Sequence, residues 1–439
     1  MASHPSRTGV DDVGVGDAGM DHVGVAIIGG GIGGLTTALS LHRHGIACTV
    51  FEAVDELRPL GVGINLLPHS VRVLAGLGLL PALAGTAIET AELAFYNRHG
   101  QLIWSEPRGR AAGYDYPQFS IHRGDLQMIL FEAARQRLGA ARIRTGHALE
   151  AFDDGGEAVS LRFAGRPGAG TPPPVSARAV IGADGIHSVV RRAFHPDEGP
   201  ARFSGRMLWR ATTVAAPFLT GRSMIQAGHQ NQKFVCYPIS RRLANEGRAL
   251  VNWIAELTVP GDTPARQDWS RRVEKSVFAG PFAGWRFPWL DVPALIDGAE
   301  AVYEYPMVDR DPLPRWTHGR VTLLGDAAHP MYPIGSNGAS QGILDAEAIA
   351  QALADRGFGP GQPDPGQAFA DYEAQRRDAT GRIVLLNRQN GPDQVMQIAE
   401  ERAPDGFAHI HDVIPRAELE AIAARYKQTA GFSREQVNR

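Results

Sequence analysis

The sequence predicts an α/β protein that combines a Rossmann-like domain, an inserted and mostly antiparallel β-sheet, and C-terminal helices. Three observations predict this fold. A strand, a glycine-rich turn, a helix and a second strand follow one another over residues 23–51, and short strand-like runs separated by turns fill residues 206–305. The tail over 372–426 has helical spacing. The first pattern is one βαβ unit of a parallel sheet, and the second indicates a separate sheet.

The chain divides into four predicted parts. Residues 1–22 form a disordered tail rich in glycine and aspartate, and 201–305 form the inserted, substrate-binding sheet domain, with segments of 60–120 as further candidates for it. The Rossmann-like domain is discontinuous, over 23–200 and 306–385, and 386–439 form the C-terminal helices. We also predict a helix over Asp268–Val277 among the inserted strands.

Composition excludes several classes of protein. The net charge of −3 and the lack of a basic stripe argue against a nucleic-acid partner, and no run approaches the roughly 18 apolar residues of a membrane helix. Cys48 and Cys236 are too few for a disulfide framework or a four-cysteine zinc site. His409, His411 and Asp412 lack an evident further ligand, so we expect no metal. We expect a cytoplasmic protein without an integral membrane segment, either a monomer or a homodimer.

The glycine-rich turn predicts a phosphate site. Gly29, Gly31 and Gly34 match G-x-G-x-x-G between the strand Val23–Ile28 and the following helix. Such glycines permit the tight turn, the approach of backbone to pyrophosphate and close helix–strand packing, and Ile32 and Gly33 open the helix whose free N–H groups favour phosphate. Glu52, 23 residues after Gly29, is placed to bind a ribose hydroxyl. This pattern predicts a dinucleotide without choosing between FAD and NAD.

Two acidic turns follow later strands. Asp184-Gly185 comes after the run Ala177–Ala183, and Gly325-Asp326 comes after Arg320–Leu324. The second turn continues through a glycine-rich stretch, residues 333–338, into a helix. Loops at the carboxyl ends of strands are where α/β sheets bind ligands, and a carboxylate there can accept hydrogen bonds from a polyol.

Taken together, these three motifs resemble the single-component FAD-dependent aromatic hydroxylases, which have the p-hydroxybenzoate hydroxylase fold. The resemblance covers roughly residues 23–385, and the segment 331–345 is most similar to the phenazine-carboxylate hydroxylase branch. Ser336, Asn337 and Ser340 depart from the G-Q-G-x-N version found in many relatives.

The resemblance implies FAD as the cofactor, NADH or NADPH as a transient co-substrate, and O2. It implies hydroxylation of an aromatic or N-heteroaromatic small molecule through a C4a-hydroperoxyflavin. Asp326, next to Gly325, would bind the ribityl chain, Arg123 the phosphate–ribityl region, and Asp184 would support both FAD and nicotinamide. Gly63 and Ile64 would lie along the flavin. The backbone of Pro333 and Gly335 would act at the catalytic centre, and Gly335, Asn337, Gly338 and Ala339 would meet the pyrimidine edge of the isoalloxazine.

The substrate is expected between the flavin and the inserted sheet. Candidate contacts from the strand patterns and from the stretch before Pro333 are Trp209, Arg210, Met224, Gln226, Val235, Tyr237, Trp253 and Tyr332. Ordinary sheet packing explains each of them equally well. Arg210 is a candidate cation for a substrate carboxylate, with a surface salt bridge as the alternative.

Two other functions stay open on the sequence alone. One is a different flavoenzyme, such as an amine-oxidase-like protein, whose N-terminus also begins with a glycine-rich βαβ unit. The other is a non-catalytic FAD-binding protein. The Asp184 and Asp326 motifs favour the hydroxylase over the first alternative, and a flavin spectrum together with NAD(P)H oxidation stimulated by an aromatic compound would exclude the second.

Overall fold

A computed structural model describes residues 20–59, 61–166, 168, 170–261, 271–362 and 364–439. The predicted N-terminal tail therefore lies almost entirely outside the described residues. Among those residues, no helix is both long and apolar enough to cross a lipid bilayer.

The described chain alternates between strands and helices in its first part and ends in helices. The strands are β1 Asp21–Ile28, β2 Cys48–Phe51, β3 Gly63–Leu66, β4 Ile88–Glu89, β5 Glu92–Tyr96, β6 Leu102–Pro107, β7 Phe119–His122, β8 Ile143–Arg144, β9 Leu149–Asp154, β10 Val159–Phe163, β11 Val175–Gly182, β12 Arg202–Ala215, β13 Ser223–His229, β14 Gln232–Pro238, β15 Ala249–Thr258, β16 Arg272–Val273, β17 Arg286–Phe287, β18 Leu290–Asp291, β19 Val302–Asp309 and β20 Val321–Leu323. The α-helices are α1 Ile32–Arg43, α2 Pro68–Gly76, α3 Leu80–Thr86, α4 Arg123–Leu138, α5 Val189–Phe194, α6 Arg241–Asn245, α7 Val292–Asp297, α8 Gly338–Asp355, α9 Gly366–Arg388, α10 Gln394–Arg402, α11 Ile410–Val413, α12 Arg416–Thr429 and α13 Arg434–Val437.

The first sheet carries the βαβ unit. Its order is β8-β2-β1-β11-β10-β9, and β20 pairs with β11. β1 runs parallel to β2 and β11, and β20 runs parallel to β11, so the carboxyl ends of these four strands meet at one edge. All four residues of β2 are buried, and most of β1 and β11 is too, as expected for a parallel sheet covered by helices. Helices α1, α4 and α8 pack together on it.

The second sheet is mostly antiparallel and has the order β16-β19-β12-β15-β14-β13-β5-β6. β15 lies between β12 and β14 and pairs antiparallel with both along most of its length. The β13–β5 pair is parallel and brings residues 92–107 into this sheet. One face packs on an aromatic core that includes Trp253, Phe234 and Phe278, and the other faces the first sheet's ligand edge and the C-terminal helices.

The predicted helix over Asp268–Val277 is wrong where the chain is described. Residues 268–270 lie outside the described part, Arg272–Val273 form strand β16 against Tyr303 and Val302, and Lys275–Val277 form a single 3-10 turn. Pairing with β19 determines the local conformation here, because tertiary contacts override weak helix propensity.

Candidate functional site

A cavity of about 350 Å³ lies where the two sheets meet. The carboxyl ends of β1, β11 and β20 open into it on one side, and the second sheet forms the opposite wall. This volume is near the lower end of the range for small-molecule sites, about 300–1,000 Å³. The described residues contain no group of three or more His, Cys, Asp or Glu side chains arranged to hold a metal ion.

The phosphate loop, residues 29–34, joins β1 to α1. Gly29 has φ of 108°, and a Cβ atom there would lie 2.4 Å from the carbonyl oxygen of Ala183. Gly34 packs equally closely on Gly29, whereas a Cβ on Gly31 would meet nothing within 4 Å. Gly31, Ile32 and Gly33 line the cavity, and α1 has neither a capping side chain nor an acidic residue in its first turn. The free amides of this helix start therefore face a space that an anion could fill.

Glu52 lies beside the phosphate loop at the end of β2. Its carboxylate accepts hydrogen bonds from the backbone N–H groups of Gly30 at 2.6 Å and Val54 at 3.0 Å. Glu52 is half-buried and does not line the 350 Å³ cavity. The structure thus places the carboxylate at the outer end of the loop, and its role toward a ribose stays a prediction.

Asp184 turns away from the cavity. Its carboxylate accepts hydrogen bonds from Ser188 Oγ at 2.6 Å and from the amide of Val189 at 2.8 Å, at the start of α5. Burial raises the pKa of Asp184, and the hydrogen bond from Ser188 opposes that rise. The neighbours Ala183 and Gly185 line the cavity instead. The carboxylate therefore shapes the turn, and only backbone of this motif reaches the cavity.

Asp326 faces the cavity directly, unlike Asp184. Its side chain is exposed, and the surface onto which it opens is the cavity wall, which it forms together with Gly325. Burial within the protein raises the pKa of Asp326, and the nearby His329 and Arg123 lower it. The Asp326 carboxylate has no hydrogen-bond partner among the described residues, so it can accept a hydrogen bond from a polyol hydroxyl in the cavity.

A buried charged cluster, Asp345 with His329 and Arg376, holds the turn that carries Asp326. Asp345 Oδ2 accepts a hydrogen bond from the Gly325 amide at 3.1 Å and lies 2.5 Å from His329 Nε2, and Asp345 Oδ1 accepts one from Arg376 Nε at 2.8 Å. Burial raises the pKa of Asp345, but His329 and Arg376 outweigh it and hold the pKa at about 2. Sequence reasoning missed Asp345 and Arg376, which lie on α8 and α9.

The flavin loop, residues 333–339, leads into α8 and lines the cavity. Gly335 and Ser336 have positive φ values of 68° and 59°. The amides of Gly335, Ser336 and Asn337 have no acceptor among the described residues, and the first amides of α8 are free by their position. The predicted contacts Pro333, Gly335, Asn337, Gly338 and Ala339 all lie on this wall.

Arg123 and the strand β3 form the next part of the wall. Arg123 begins α4, and Gly63 and Ile64 lie beside it on the cavity surface. The Gly63 amide donates to Asn252 Oδ1 at 2.7 Å, and its carbonyl accepts from Tyr237 Oη at 2.9 Å and Arg210 Nη2 at 3.1 Å. Side chains of the second sheet therefore fix the strand predicted to lie along the flavin.

The sheet wall follows the alternation of strand residues. Arg210 pairs with Ile254, Ile254 with Val235 and Val235 with Gln226, which gives one row across four strands. All four residues line the cavity, together with Met224 and Tyr237 from the next row. Five of the predicted substrate contacts are thus on this wall.

Three predicted substrate contacts, Trp209, Trp253 and Tyr332, do not lie on the sheet wall of the cavity. Neighbours in a strand point to opposite faces, so Trp209 cannot share the face of Arg210. Trp209 stacks on Phe278 at 5.1 Å, and the fully buried Trp253 lies in the same core. Tyr332 is packed against Leu208 and Met307, and its neighbours Met331 and Pro333 line the cavity in its place.

The structure adds a buried charge network, Lys233 with Glu256, Asp393 and Arg206, at the cavity wall. Lys233 Nζ lies 2.7 Å from Asp393 Oδ2 and 3.2 Å from Glu256 Oε2, and Arg206 pairs with Glu256 at 2.9 Å. Burial lowers the pKa of Lys233, but the two carboxylates more than offset this and raise it. A signal was available, since Lys233 is a charged residue that directly precedes the apolar run Phe234–Pro238 of its strand.

These features fit FAD. The residues around the cavity include free helix-start amides at the phosphate loop, an exposed acceptor at Asp326 and free amides at the flavin loop. A dinucleotide with a polyol linker and a ring edge that accepts hydrogen bonds needs donors for its phosphates, an acceptor for its polyol and donors for its ring edge.

Comparisons with known proteins agree. A sequence model of a family described as an FAD binding domain matches residues 22–279 and 304–385. The chain is 44% identical over 409 residues to a phenazine 1,6-dicarboxylic acid hydroxylase of Lysobacter antibioticus, covering 92% of this chain and 96% of the relative. It is 35% identical over 395 residues to a 3-amino-4-hydroxybenzoate 2-monooxygenase of Streptomyces platensis, covering 86% and 91%.

A solved structure of a salicylate hydroxylase with its substrate has a TM-score of 0.70 to this chain at 23% identity, covering 94% and 98% of the two chains. The structural likeness confirms the predicted fold class, and the named relatives confirm the hydroxylase interpretation over the amine-oxidase-like and non-catalytic alternatives. The protein is a member of the single-component, FAD-dependent aromatic hydroxylases, monooxygenases that use NAD(P)H and O2.

Proposed function

We propose that the protein hydroxylates a carboxylated, fused N-heteroaromatic acid of the phenazine type. The observation that carries this proposal is Arg210, a cation in the cavity wall with no carboxylate partner among the described residues. The relative that shares 44% identity is named for a phenazine dicarboxylic acid, which has the complementary charge.

Arg210 has unused hydrogen-bonding capacity. It is half-buried, one Nη2–H donates to the Gly63 carbonyl, and its Nε has no hydrogen-bond partner. Burial lowers the pKa of Arg210, an effect that the nearby Tyr237 and Tyr305 oppose. A guanidinium stays charged in proteins, so a substrate carboxylate would both neutralise it and accept the hydrogen bonds it has to offer.

Apolar side chains make up the rest of the sheet wall. Five strands contribute one side chain each. These are Leu208 of β12, Met224 of β13, Val235 of β14, Ile254 of β15 and Met307 of β19. A flat aromatic ring buries its faces against such a surface. The same surface excludes water from the reacting atoms, which a monooxygenase needs to avoid wasteful reduction of O2.

We further propose that the residues of the opposite wall hold FAD. The phosphate loop would bind the pyrophosphate, Glu52 a ribose hydroxyl, Asp326 the ribityl chain with Arg123 beside it, and the flavin loop the pyrimidine edge. Bound FAD supplies what no side chain of the chain supplies, namely reduction by NAD(P)H, reaction with O2 and transfer of one oxygen atom to the ring. The chain's own part is to orient ring and cofactor and to keep the space dry.

Three further features belong to the proposal. The protein works in the cytoplasm, as a monomer or a homodimer, and its reductant is NADH or NADPH. Two free and fully buried thiols, Cys48 and Cys236, are compatible with a reducing compartment.

The test compares wild type with Arg210→Gln, which keeps an N–H for the Gly63 carbonyl. NAD(P)H oxidation is measured with phenazine-1,6-dicarboxylic acid and with unsubstituted phenazine, alongside the surface control Arg222→Gln. We expect the KM of the acid to rise about 10- to 100-fold, since hydrogen bonds to charged groups contribute about 1.5–3 kcal/mol, while the values for unsubstituted phenazine and for the control stay near wild type. Equal effects on both compounds would show that Arg210 does not bind the carboxylate.

A further inference from the structure

The C-terminal helix α12 reaches the flavin loop through one side chain, Tyr426. Residues 386–439 lie beyond the part of the chain that matches the FAD-binding family model. Tyr426 is nevertheless buried against the flavin loop, together with Asn337 and Asn387, both of which are fully buried. The contacts at this point therefore come from a part of the chain that the family pattern does not describe.

Three hydrogen-bond partners surround the Tyr426 hydroxyl. Asn337 Nδ2 donates to it at 2.9 Å, and the hydroxyl lies 3.1 Å from the Ile334 carbonyl and 3.0 Å from Asn387 Oδ1, to either of which it can donate its one hydrogen. Burial raises the pKa of Tyr426 far above the ordinary value, so the hydroxyl keeps that hydrogen. The hydroxyl is thus both a donor and an acceptor at the centre of the cluster.

The ring also fixes the loop by shape. Gly335 has φ of 68°, and a Cβ atom there would lie 1.8 Å from the Tyr426 hydroxyl oxygen. Gly391 approaches the ring as well, since its Cβ would lie 2.8 Å from Cε2. Two glycines thus leave just enough room for the tyrosine, and any movement of the loop toward α12 is blocked.

The cluster bonds to carbonyl groups in and next to the loop and leaves the amides of Gly335 and Ser336 free. Tyr426 reaches the carbonyl of Ile334, Asn337 Nδ2 donates to that of Gly335 at 3.1 Å, and Asn387 Nδ2 donates to that of Tyr332, just before the loop, at 3.1 Å. In the peptide units that follow Ile334 and Gly335, a carbonyl bonded toward the C-terminal helices places the N–H of Gly335 or Ser336 on the opposite side, toward the cavity that both residues line.

We propose that Tyr426 is a positioning residue that sets the flavin loop and thereby controls how tightly NAD(P)H oxidation is coupled to hydroxylation. This inference rests on the proposed placement of the flavin against the flavin loop. Loss of the hydroxyl leaves one of the two N–H groups of Asn337 Nδ2 without an acceptor in a buried place and allows the loop amides to turn.

The experiment uses Tyr426→Phe with Tyr114→Phe as its matched control. Tyr114 is a buried tyrosine of the same apolar cluster, and its hydroxyl donates to the Phe432 carbonyl at 2.7 Å, so it anchors the same C-terminal segment without touching the flavin loop. Three quantities are measured on full-length protein: the Kd of FAD by titration of the apoprotein, the visible spectrum of the bound flavin, and the hydroxylated product formed per NAD(P)H. Thermal unfolding of the apoproteins reports whether each variant folds.

We expect Tyr426→Phe to raise the Kd of FAD about tenfold, as the loss of hydrogen bonds of about 1 kcal/mol each implies. We also expect it to shift the flavin spectrum and to lower product per NAD(P)H, with the substrate KM unchanged and Tyr114→Phe like wild type in all three. If Tyr426→Phe does not fold, Asn387→Leu, which removes an acceptor of the same hydroxyl, has to show these changes.

Two results would overturn the inference alone. One is a Tyr426→Phe enzyme with wild-type FAD affinity, spectrum and coupling. The other is a Tyr114→Phe enzyme with the same defects, because anchoring of the C-terminal segment would then explain both. A wild-type protein that binds no FAD would instead overturn the proposed function together with this inference, so the two failures are distinguishable.

Discussion

The phosphate loop and the flavin loop are both glycine-rich turns at the start of a helix, but they are held in place in different ways. The phosphate loop is set largely by its own βαβ unit: the Gly29 amide donates to the Phe51 carbonyl at 2.8 Å, and the Gly30 amide donates to Glu52. One distant side chain adds to this, since Gln127 Nε2 donates to the Gly30 carbonyl at 2.9 Å. The flavin loop and its flanking residues depend on Asn387 and Tyr426, which lie 55 and 92 residues away from their partners along the sequence. Local contacts can be read from a motif, and distant ones cannot.

The two sides of the cavity differ in the same way. Its phosphate side is made of backbone groups, whose position follows from glycines at fixed spacing. Its sheet side is made of side chains from separate strands, such as Arg210 and Lys233, whose neighbours depend on strand register. Substitutions in three places test this difference: the distant network around Lys233, the local glycines of the phosphate loop, and the charged residue Asp345.

The largest effect is expected at the distant network around Lys233. Lys233→Met removes the cation between Glu256 and Asp393 and leaves two buried carboxylates without it. Breaking a buried ion pair in this way costs about 3–5 kcal/mol. Urea unfolding of the FAD-free protein measures the loss, and Lys275→Met, whose ammonium group bonds to a backbone carbonyl near the surface, is the control. A loss below about 1 kcal/mol would mean that the network does not join the sheet to the C-terminal helices.

The local glycines of the phosphate loop are expected to separate folding from binding. Gly29→Ala should lower the free energy of unfolding of the apoprotein by about 2–3 kcal/mol, because a left-handed backbone costs a residue with a Cβ about 1–2 kcal/mol and the contact with Ala183 adds to it. Gly31→Ala should leave that free energy within about 0.5 kcal/mol, since the space is open, and should weaken FAD binding instead. Urea unfolding and FAD titration measure the pair, and the same profile for both variants would contradict the comparison.

A smaller and pH-dependent effect is expected at Asp345. Its folded pKa of about 2 lies below the ordinary value, so its ion pairs stabilise the protein fully above about pH 4 and this contribution is lost as the pH falls toward 2. Asp345→Asn should cost about 2 kcal/mol at pH 7, and the difference from wild type should shrink as the pH falls from 4 to 2. Unfolding midpoints recorded across that range, with the exposed Asp378→Asn as the control, measure this. A difference that stays constant with pH would show that the ionised form is not what stabilises the turn.

The sequence predicted the elements that short-range rules determine. The strand predicted over Val23–Ile28 is β1, and the phosphate loop lies between β1 and α1 as expected. Strands of the second sheet were also predicted, because alternation and turn residues mark them. The fold class and the cofactor could be predicted from the sequence for these reasons.

The parts that sequence reasoning missed depend on pairing between distant segments. Trp209 and Arg210 are equally attractive as ligand contacts until the register of β12 assigns them to opposite faces. Tyr332 and Met331 are separated in the same way by packing against β12 and β19. The roles of Asp393 and Tyr426 required the C-terminal helices to be placed against the cavity, and no local pattern contains that information.

The activity that we propose for this cavity is the insertion of one atom of O2 into an aromatic acid. The most direct test is a reaction with NADH or NADPH, phenazine-1,6-dicarboxylic acid and ¹⁸O-labelled O2, followed by mass spectrometry of the product. We expect one ¹⁸O atom per hydroxyl group introduced and no label when ¹⁸O is supplied as water instead. Product that takes its oxygen from water, or NAD(P)H oxidation that yields hydrogen peroxide alone with every aromatic acid tried, would contradict it.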